Sequence, residues 1–326
     1  MTTPEHDPHL SRVTVAVLNY NGRRLLEVVL PSLAAQHYRD FETVVVDDCS
    51  TDDSVAYLHE QHPEARVVST GTANVGVAAA LNIAVRSVRG ELVALLNNDI
   101  ELDPDWLGEL VAALDRHPEA SSASCKLLNY WRRDELDGAG DVFTREGIAG
   151  RRGHGELDRG QYERDEYVFA PTAGAALYRA ASLAAVGPFD ESFYAYFEDA
   201  DWGMRAQLLG HRCRYVPGAV AYHMGSATTG GELDPKYLRL LRRNLLVLLL
   251  KDLPLDLMLR NAPRIAWAQL HLLARSARAG GLSVHMRALV DLLRGAPRWL
   301  RARKEIQRRR VIDGAELEQL VREWAR

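Results

Sequence analysis

Residues 92–96, Leu-Val-Ala-Leu-Leu, run without a polar break and stop at Asn97, Asn98 and Asp99. An unbroken apolar run of this length suits a strand buried on both faces, as at the centre of a parallel sheet. A sheet of that kind needs helices over both faces, which restricts the chain to α/β architectures. Polar groups just past the carboxyl end of such a strand lie where open α/β sheets bind ligands. Asn and Asp also favour turns for local reasons, so a turn alone satisfies this single cluster.

The preceding sequence repeats the pattern. A β-branched run at 13–18 ends in Asn19-Tyr20-Asn21-Gly22, and helical spacing follows at Leu25, Leu26, Val29, Leu30 and Leu33. A second strand at 43–46 ends in Asp47-Asp48, with Ser50 or Asp52 placed to cap the next helix. Val67 and Val68 form a third, followed by Asn74 and Gly76 and an Ala-rich helix at 77–86. After Asp99, Asp103-Pro104-Asp105 starts a helix to about residue 116, with proline in its first turn. Strand alternating with helix at this spacing predicts a doubly wound, mostly parallel sheet flanked by helices. All four strands then end in polar clusters on one edge, and four together point to a site.

Beyond a strand at 123–127 the character changes. Residues 131–167 are rich in Gly, Arg, Asp and Glu, and are expected to be an excursion with one hairpin over or beside the sheet. Small apolar residues return at 169–178, then a short helix at 180–186. An aromatic run at 193–197 leads into Glu198-Asp199-Ala200-Asp201-Trp202 and a helix to about 209. Strands near 214–216 and 220–223 precede 224–231, a Gly- and Thr-rich stretch suited to a lid.

From Lys236 onward the chain is helical and basic, with 20 Lys and Arg against 8 Asp and Glu, while residues 1–235 carry 20 against 36. Pro254, Pro263, Pro297 and Gly280-Gly281 are expected to divide this extension into four short helices. Two expectations stand for it: a solvated appendage packed on the domain, or an amphipathic element on an anionic membrane surface. Its basic run has no interleaved aromatics, which argues against nucleic acid. No stretch approaches the ~18 apolar residues of a membrane span; the run at 245–250 is cut by Lys251 and Asp252. Cys49, Cys125 and Cys213 have no CxxC spacing and fit a reducing cytoplasm. Residues 1–11 are polar, without a signal-peptide core, and are expected to be a disordered leader.

The segments VLNYNG, VVVDDCSTDDS, NVGVAAALN, LLNNDIEL and FDESFYAYFEDADWGMR, with the later His223, appear in the order seen in inverting family 2 glycosyltransferases of the GT-A fold. Over about residues 12–231 the chain most resembles the bacterial rhamnosyltransferase-like members. The resemblance implies a nucleotide-sugar-binding catalytic domain over 12–235 and a helical extension over 236–326. It implies that Asp47 contacts the donor's nucleoside, with Asn74 and Asn82 lining the nucleotide side of the cleft. Asn19, Asn21, Asp48 and Gly76 lie on the same edge and are grouped with them as donor-binding. Asn97-Asn98-Asp99 occupies the family's DXD place, where a divalent cation bridges protein and diphosphate. Asp99 and His223 are the implied metal ligands, and Asp199 the implied catalytic base. The cation would be Mg²⁺ or Mn²⁺, the acceptor a glycan or lipid-linked hydroxyl, and the setting the cytoplasm or the inner membrane face. The place holds Asn97 instead of an acid, so Asp99 is its one carboxylate.

The chemistry stands on its own terms. A hard oxygen-bound cation can neutralise a leaving diphosphate, and a carboxylate opposite can take the proton of an incoming hydroxyl. Crowding of Glu198, Asp199 and Asp201 should raise at least one of their pKa values. Asp201 also suits a helix cap or structural acid, and Glu198 could orient Arg205. Trp202 and the neighbouring aromatics suit a core as well as a sugar platform. Two rivals remain: a non-catalytic nucleotide-sugar-binding protein, and a nucleotidyltransferase, for which VLNYNGRR lacks the usual glycine density.

Overall fold

The computed structural model describes residues 11–172, 174–225, 235–278 and 280–324. The expected leader, apart from Ser11, and most of the expected lid lie outside the described residues.

The first half follows the alternation closely: β1 (Val13–Asn19), α1 (Arg23–Ala34), β2 (Phe41–Asp47), α2 (Ser54–Gln61), β3 (Arg66–Ser69), α3 (Val77–Arg86) and β4 (Leu92–Asn97). β1 lies parallel between β2 and β4, and β3 extends β2, so the order here is β3-β2-β1-β4. Leu92 to Leu96 are completely buried, as a strand covered on both faces requires. One face packs on α1 and α4 (Trp106–Arg116) through Leu26, Val29, Trp106 and Leu110. The other packs on α3 through Ala78, Leu81 and Ala84, whose small side chains let that helix approach.

Two local expectations are corrected. Pro104 lies ahead of α4, whose N-cap is Asp105, because the chain first turns at 103–105 to bond the Trp106 amide to Asp103 O. Neither Ser50 nor Asp52 is the N-cap of α2; that position is Asp53. Ser50 instead serves Asp47, and Asp52 accepts the amides of Arg23 and Ser54.

The second half is more sheet-like than expected. β5 (Ile100–Leu102), β6 (Ala120–Asn129), β7 (Leu136–Ala139), β8 (Asp141–Phe143), β9 (Ala149–Arg151), β10 (Glu166–Val168) and β11 (Ala175–Arg179) come next. α5 (Ala180–Val186), a 3-10 turn at Glu191–Phe193, α6 (Glu198–Leu208) and β12 (Arg212–His223) complete the domain. β11 enters antiparallel between β4 and β6, while β12 runs parallel to β6 and antiparallel to β5 and β10. The sheet is therefore mixed, with its parallel half at β1–β4. The excursion contributes β7 and β10 to this sheet as well as the β8–β9 hairpin.

Among the described residues the extension forms five helices, not four: α7 (Pro235–Lys251), α8 (Leu255–Arg260), α9 (Ala262–Arg278), α10 (Leu282–Arg309) and α11 (Gly314–Trp324). α10 runs through Pro297. Pro297 sits on an exposed face, where water can satisfy the carbonyl its ring leaves unbonded, and the opposite face is packed. The extension is also tied to the domain. Leu248, Leu317 and Trp324 share a core cluster with Phe143, Phe169 and Met204. Lys251 and Asp252, expected to interrupt the apolar run, close α7 and are buried, Lys251 in ion pairs with Asp190 and Asp201.

Candidate functional site

The carboxyl ends of β1, β2 and β4 meet as the sheet register demands: Asn19 stands opposite Asp47, and Leu18 opposite Asn97. Asn19 is buried and donates to Asp47 Oδ2 at 2.9 Å, while its Oδ1 accepts from Asn98 Nδ2 at 2.8 Å. Asp47 also accepts the Ser50 amide and hydroxyl at 2.9 and 2.6 Å. Asp48 shapes the next loop by accepting from Thr70 Oγ1 and from the amides of Val75 and Gly76 at 2.8, 2.9 and 3.0 Å. Asn97 ends β4 half-buried, its amide donating to Gly174 O at 2.9 Å.

Two of the residues grouped with the donor have structural engagements. Asn21 adopts φ 48° and its Oδ1 caps the turn at Thr51 and Asp52. Asn82 donates to Phe189 O and Glu191 Oε1 and accepts the Phe189 amide, latching α3 to the segment before the 3-10 turn. Asn74 remains on the edge, where its Oδ1 accepts from the Tyr194 hydroxyl at 2.7 Å. Gly76 adopts φ +85°, and a Cβ there would lie 2.5 Å from the Tyr194 ring.

Asp99 and His223, 124 positions apart in sequence, meet because β5 pairs with the end of β12. Asp99 is buried; its Oδ2 lies 3.3 Å from His223 Nε2, and its Oδ1 has no hydrogen-bond partner among the described residues. The other imidazole nitrogen, Nδ1, lies 2.8 Å from Asp137 Oδ2. Asp137, within the excursion, also meets Arg151 and His154. Burial opposes the imidazolium, but the hydrogen bonds to Asp137 and Asp99 outweigh it and push His223 up to about 9. Burial works against the Asp137 anion too, yet His154, His223 and Arg151 hold it below the usual carboxylate range.

Among the described residues no group of three or more His, Cys, Asp or Glu is arranged to hold a metal by itself. The donor set nevertheless fits a hard cation completed by its ligand. It offers one unpartnered buried carboxylate oxygen and an imidazole fixed from behind by a carboxylate, the outer-shell pattern of metal-bound histidine.

The acids at 198–201 divide sharply. Asp201 is fully buried and pairs with Arg205 and Lys251, which makes it structural. Lys251 also reaches Asp190 at 2.8 Å, and burial together with Asp201 pushes Asp252 well above the usual carboxylate range. Trp202 is core, packed edge-on against Tyr178 at 5.3 Å. Glu198 is buried with Oε2 unpartnered among the described residues, and burial plus the Asp199 charge raises its pKa well above normal. Asp141, buried on β8 and bonded by Thr172 Oγ1 at 2.8 Å, is raised for the same two reasons. Asp199 is half-buried in the first turn of α6, its charge acts on both of these carboxyls, and it accepts the Ala200 amide at 2.7 Å. The expected crowding effect is therefore present, with Asp141 as a member that the sequence did not suggest.

The backbone leading to Asp199 is strained. Tyr194, Tyr196 and Phe197 all take left-handed φ values of 64°, 69° and 66°. The extension holds them there. Asn244 on α7 is fully buried, and its amide donates to Phe193 O, Ala195 O and Tyr196 O at 3.1, 2.9 and 2.7 Å. Arg243 donates to Ser192 O and Phe193 O at 2.7 and 3.0 Å. Tyr194 thus links the Asn74–Gly76 loop to the acids. Sequence reasoning missed Asn244, although a polar residue among the leucines of α7 was a usable signal.

Residues 14–186, more than half of the chain, match the sequence model described as Glycosyl transferase family 2. The chain belongs to this family. Over 234 residues, 69% of its length, this family 2 protein is 31% identical to the O-antigen biosynthesis protein RfbC of Myxococcus xanthus, and spans 18% of that larger protein. It is 27% identical over 246 residues to the N-acetylglucosaminyl-diphospho-decaprenol L-rhamnosyltransferase of Mycobacterium tuberculosis, a match covering 67% of this chain and 78% of that one. TarS 1-349 of S. aureus, solved in complex with UDP-GlcNAc, superimposes with a TM-score of 0.56 at 19% identity, covering 96% and 91% of the two chains. The mannosyltransferase PcManGT of Pyrobaculum calidifontis, solved with GDP-Man and Mn2+, gives 0.55 at 20% identity and coverage of 96% and 88%. At such identities the likeness speaks for the fold, which is the expected GT-A type.

Proposed function

We propose that this family 2 protein is an inverting glycosyltransferase of cell-surface glycan synthesis. It moves a sugar from a nucleoside diphosphate donor, dTDP-rhamnose or a UDP-sugar, to a hydroxyl of a lipid-linked or polysaccharide acceptor. It works in the cytoplasm, with its extension contacting an anionic membrane. The observation that carries this function is the buried, half-satisfied carboxylate of Asp99 beside His223, at the edge where β1, β2 and β4 end.

Asp47 and the Asn19–Asn98 pair hold the nucleoside side, and Asn74 closes it toward Tyr194. Asp99 and His223 would hold Mg²⁺ or Mn²⁺, which when bound offsets charge on the leaving diphosphate. His223 would ligate through a neutral Nε2, so binding of the cation would release its proton. Asp199 accepts the acceptor hydroxyl's proton as oxygen attacks the anomeric carbon on the face opposite the diphosphate, which departs with the bonding electron pair. Glu198 and Asp141, kept neutral by burial and by the Asp199 charge, leave that carboxylate as the proton acceptor.

The test is Asp199→Asn. Turnover should fall on the order of 10²–10⁴-fold, the usual worth of a general base, while donor affinity with Mn²⁺ stays within twofold. Unchanged turnover would remove Asp199 as base and favour a different acid.

A further inference from the structure

α10 carries two apolar faces, and its fold uses one. His285, Ala288 and Trp299 are buried toward the domain, and α7 receives an ion pair from the same side of the helix through Arg239 and Asp291. On the other side Leu282, Met286, Val290, Leu293 and Leu300 recur at intervals of four, four, three and seven residues, one continuous helical stripe. Each is 41–71% exposed. α9, joined to α10 at Gly280 and Gly281, has no buried residue and exposes Trp267 to 71%. Scattered exposed apolar residues are ordinary on a protein surface, but a stripe of this length is a docking surface.

Charge identifies the occupant. Arg287, Arg294 and Arg301, spaced by sevens, run exposed along one flank of the stripe. The acidic side chains of α10 are already engaged, Asp291 by Arg239 and Glu305 by Arg308. An apolar stripe bordered by exposed arginines matches the boundary between anionic headgroups and acyl chains. A second copy would set two arginine rows against each other.

We infer that the exposed face of α9 and α10 is a membrane-surface docking site that takes an anionic lipid bilayer, lying in its interface without crossing it. No described helix is long and apolar enough to cross a membrane. The acidic residues 1–235 are repelled by the same surface that attracts the basic extension, so charge also sets which side of the molecule faces the lipid. The inference gives the lipid-linked acceptor of the proposed function a surface on which to be met, and it rests on that function only for this role.

The experiment is co-sedimentation of the full chain with vesicles of phosphatidylcholine alone or mixed with phosphatidylglycerol, without donor. Binding should appear on the anionic vesicles and weaken as salt is raised. The exposed double variant Met286→Asp/Leu293→Asp should lose binding at least tenfold, and Arg287→Gln/Arg294→Gln/Arg301→Gln should lose its preference for phosphatidylglycerol. Nucleotide-sugar affinity should stay unchanged in both, which checks folding and separates this outcome from failure of the transferase assignment. Absence of binding to anionic vesicles would overturn the inference, as would binding that both variants retain. Dimerisation lost in Met286→Asp/Leu293→Asp, with no vesicle binding by the parent chain, would assign the face to a second copy instead.

Discussion

The donor edge and the segment carrying Asp199 are built in opposite ways. Asn19, Asp47 and Asn98 are placed by the register of adjacent parallel strands, and they bond to one another within about one strand width. Residues 193–199 have no such frame. Their three left-handed residues persist because Asn244 and Arg243, about 50 positions downstream, hold the carbonyls from behind. Strained backbone survives only where surrounding structure over-determines it. The difference teaches that the extension, whatever it meets outside, is part of the architecture of the proposed site: one half of that site comes with the sheet, and the other is imposed on it.

Asn244→Ala breaks this contrast most directly. Three carbonyls lose a buried donor, costing about 1–3 kcal/mol of stability, and Asp199 shifts. Displacements near 1 Å cost on the order of 10²-fold in rate, so kcat should fall about 10–100-fold while donor KM stays within about twofold. Steady-state kinetics separates the two; a rise in donor KM with normal kcat would place the clamp on the donor side instead.

The donor side answers to a different substitution. Asp137→Asn removes the carboxylate that orients His223, and loss of such an outer partner typically weakens metal affinity about 10–100-fold. Titration of Mn²⁺ in the presence of donor measures it. Unchanged affinity would detach His223 and Asp137 from the metal.

The smallest effect concerns stability. Glu198 stays protonated in the folded chain above the pH at which it ionises when unfolded, ordinarily near 4.5. Between those two points the folded state holds the extra proton, so its stability falls as pH rises. Glu198→Gln should therefore raise Tm by a few degrees at pH 7.5 and by less at pH 5. A lower Tm at both pH values would mean that the carboxylate is stabilising as it stands.

The parts legible in the sequence are those whose signal is local. Leu92 to Leu96 announced a central strand, and the polar ends of β1–β4 had to share an edge once those strands were parallel. Asp137 was not legible: it lies in a Gly- and Arg-rich stretch without periodicity, and reaches His223 only through pairing of β7 and β12 with β6. Asp141 reaches the acids from β8, through its bridge to Ala170. Lys251 and Asp252 do close α7, but their burial was not legible: a buried charge is costly unless it is paired, and the partners of Lys251, Asp190 and Asp201, lie 50 or more positions away. The Pro297 break failed because its position is solvent-facing, where a lost hydrogen bond costs least.

The central claim is that Asp99 and His223 form a cation-dependent site for a nucleoside diphosphate sugar. The most direct measurement is thermal unfolding of the full chain against a panel of UDP-, GDP- and dTDP-sugars, each with and without Mn²⁺, beside Asp99→Asn. At least one nucleotide sugar should raise Tm with Mn²⁺ and much less without it, and Asp99→Asn should abolish the difference. No shift with any nucleotide sugar under either condition, or a Mn²⁺-dependent shift that Asp99→Asn retains, would contradict it.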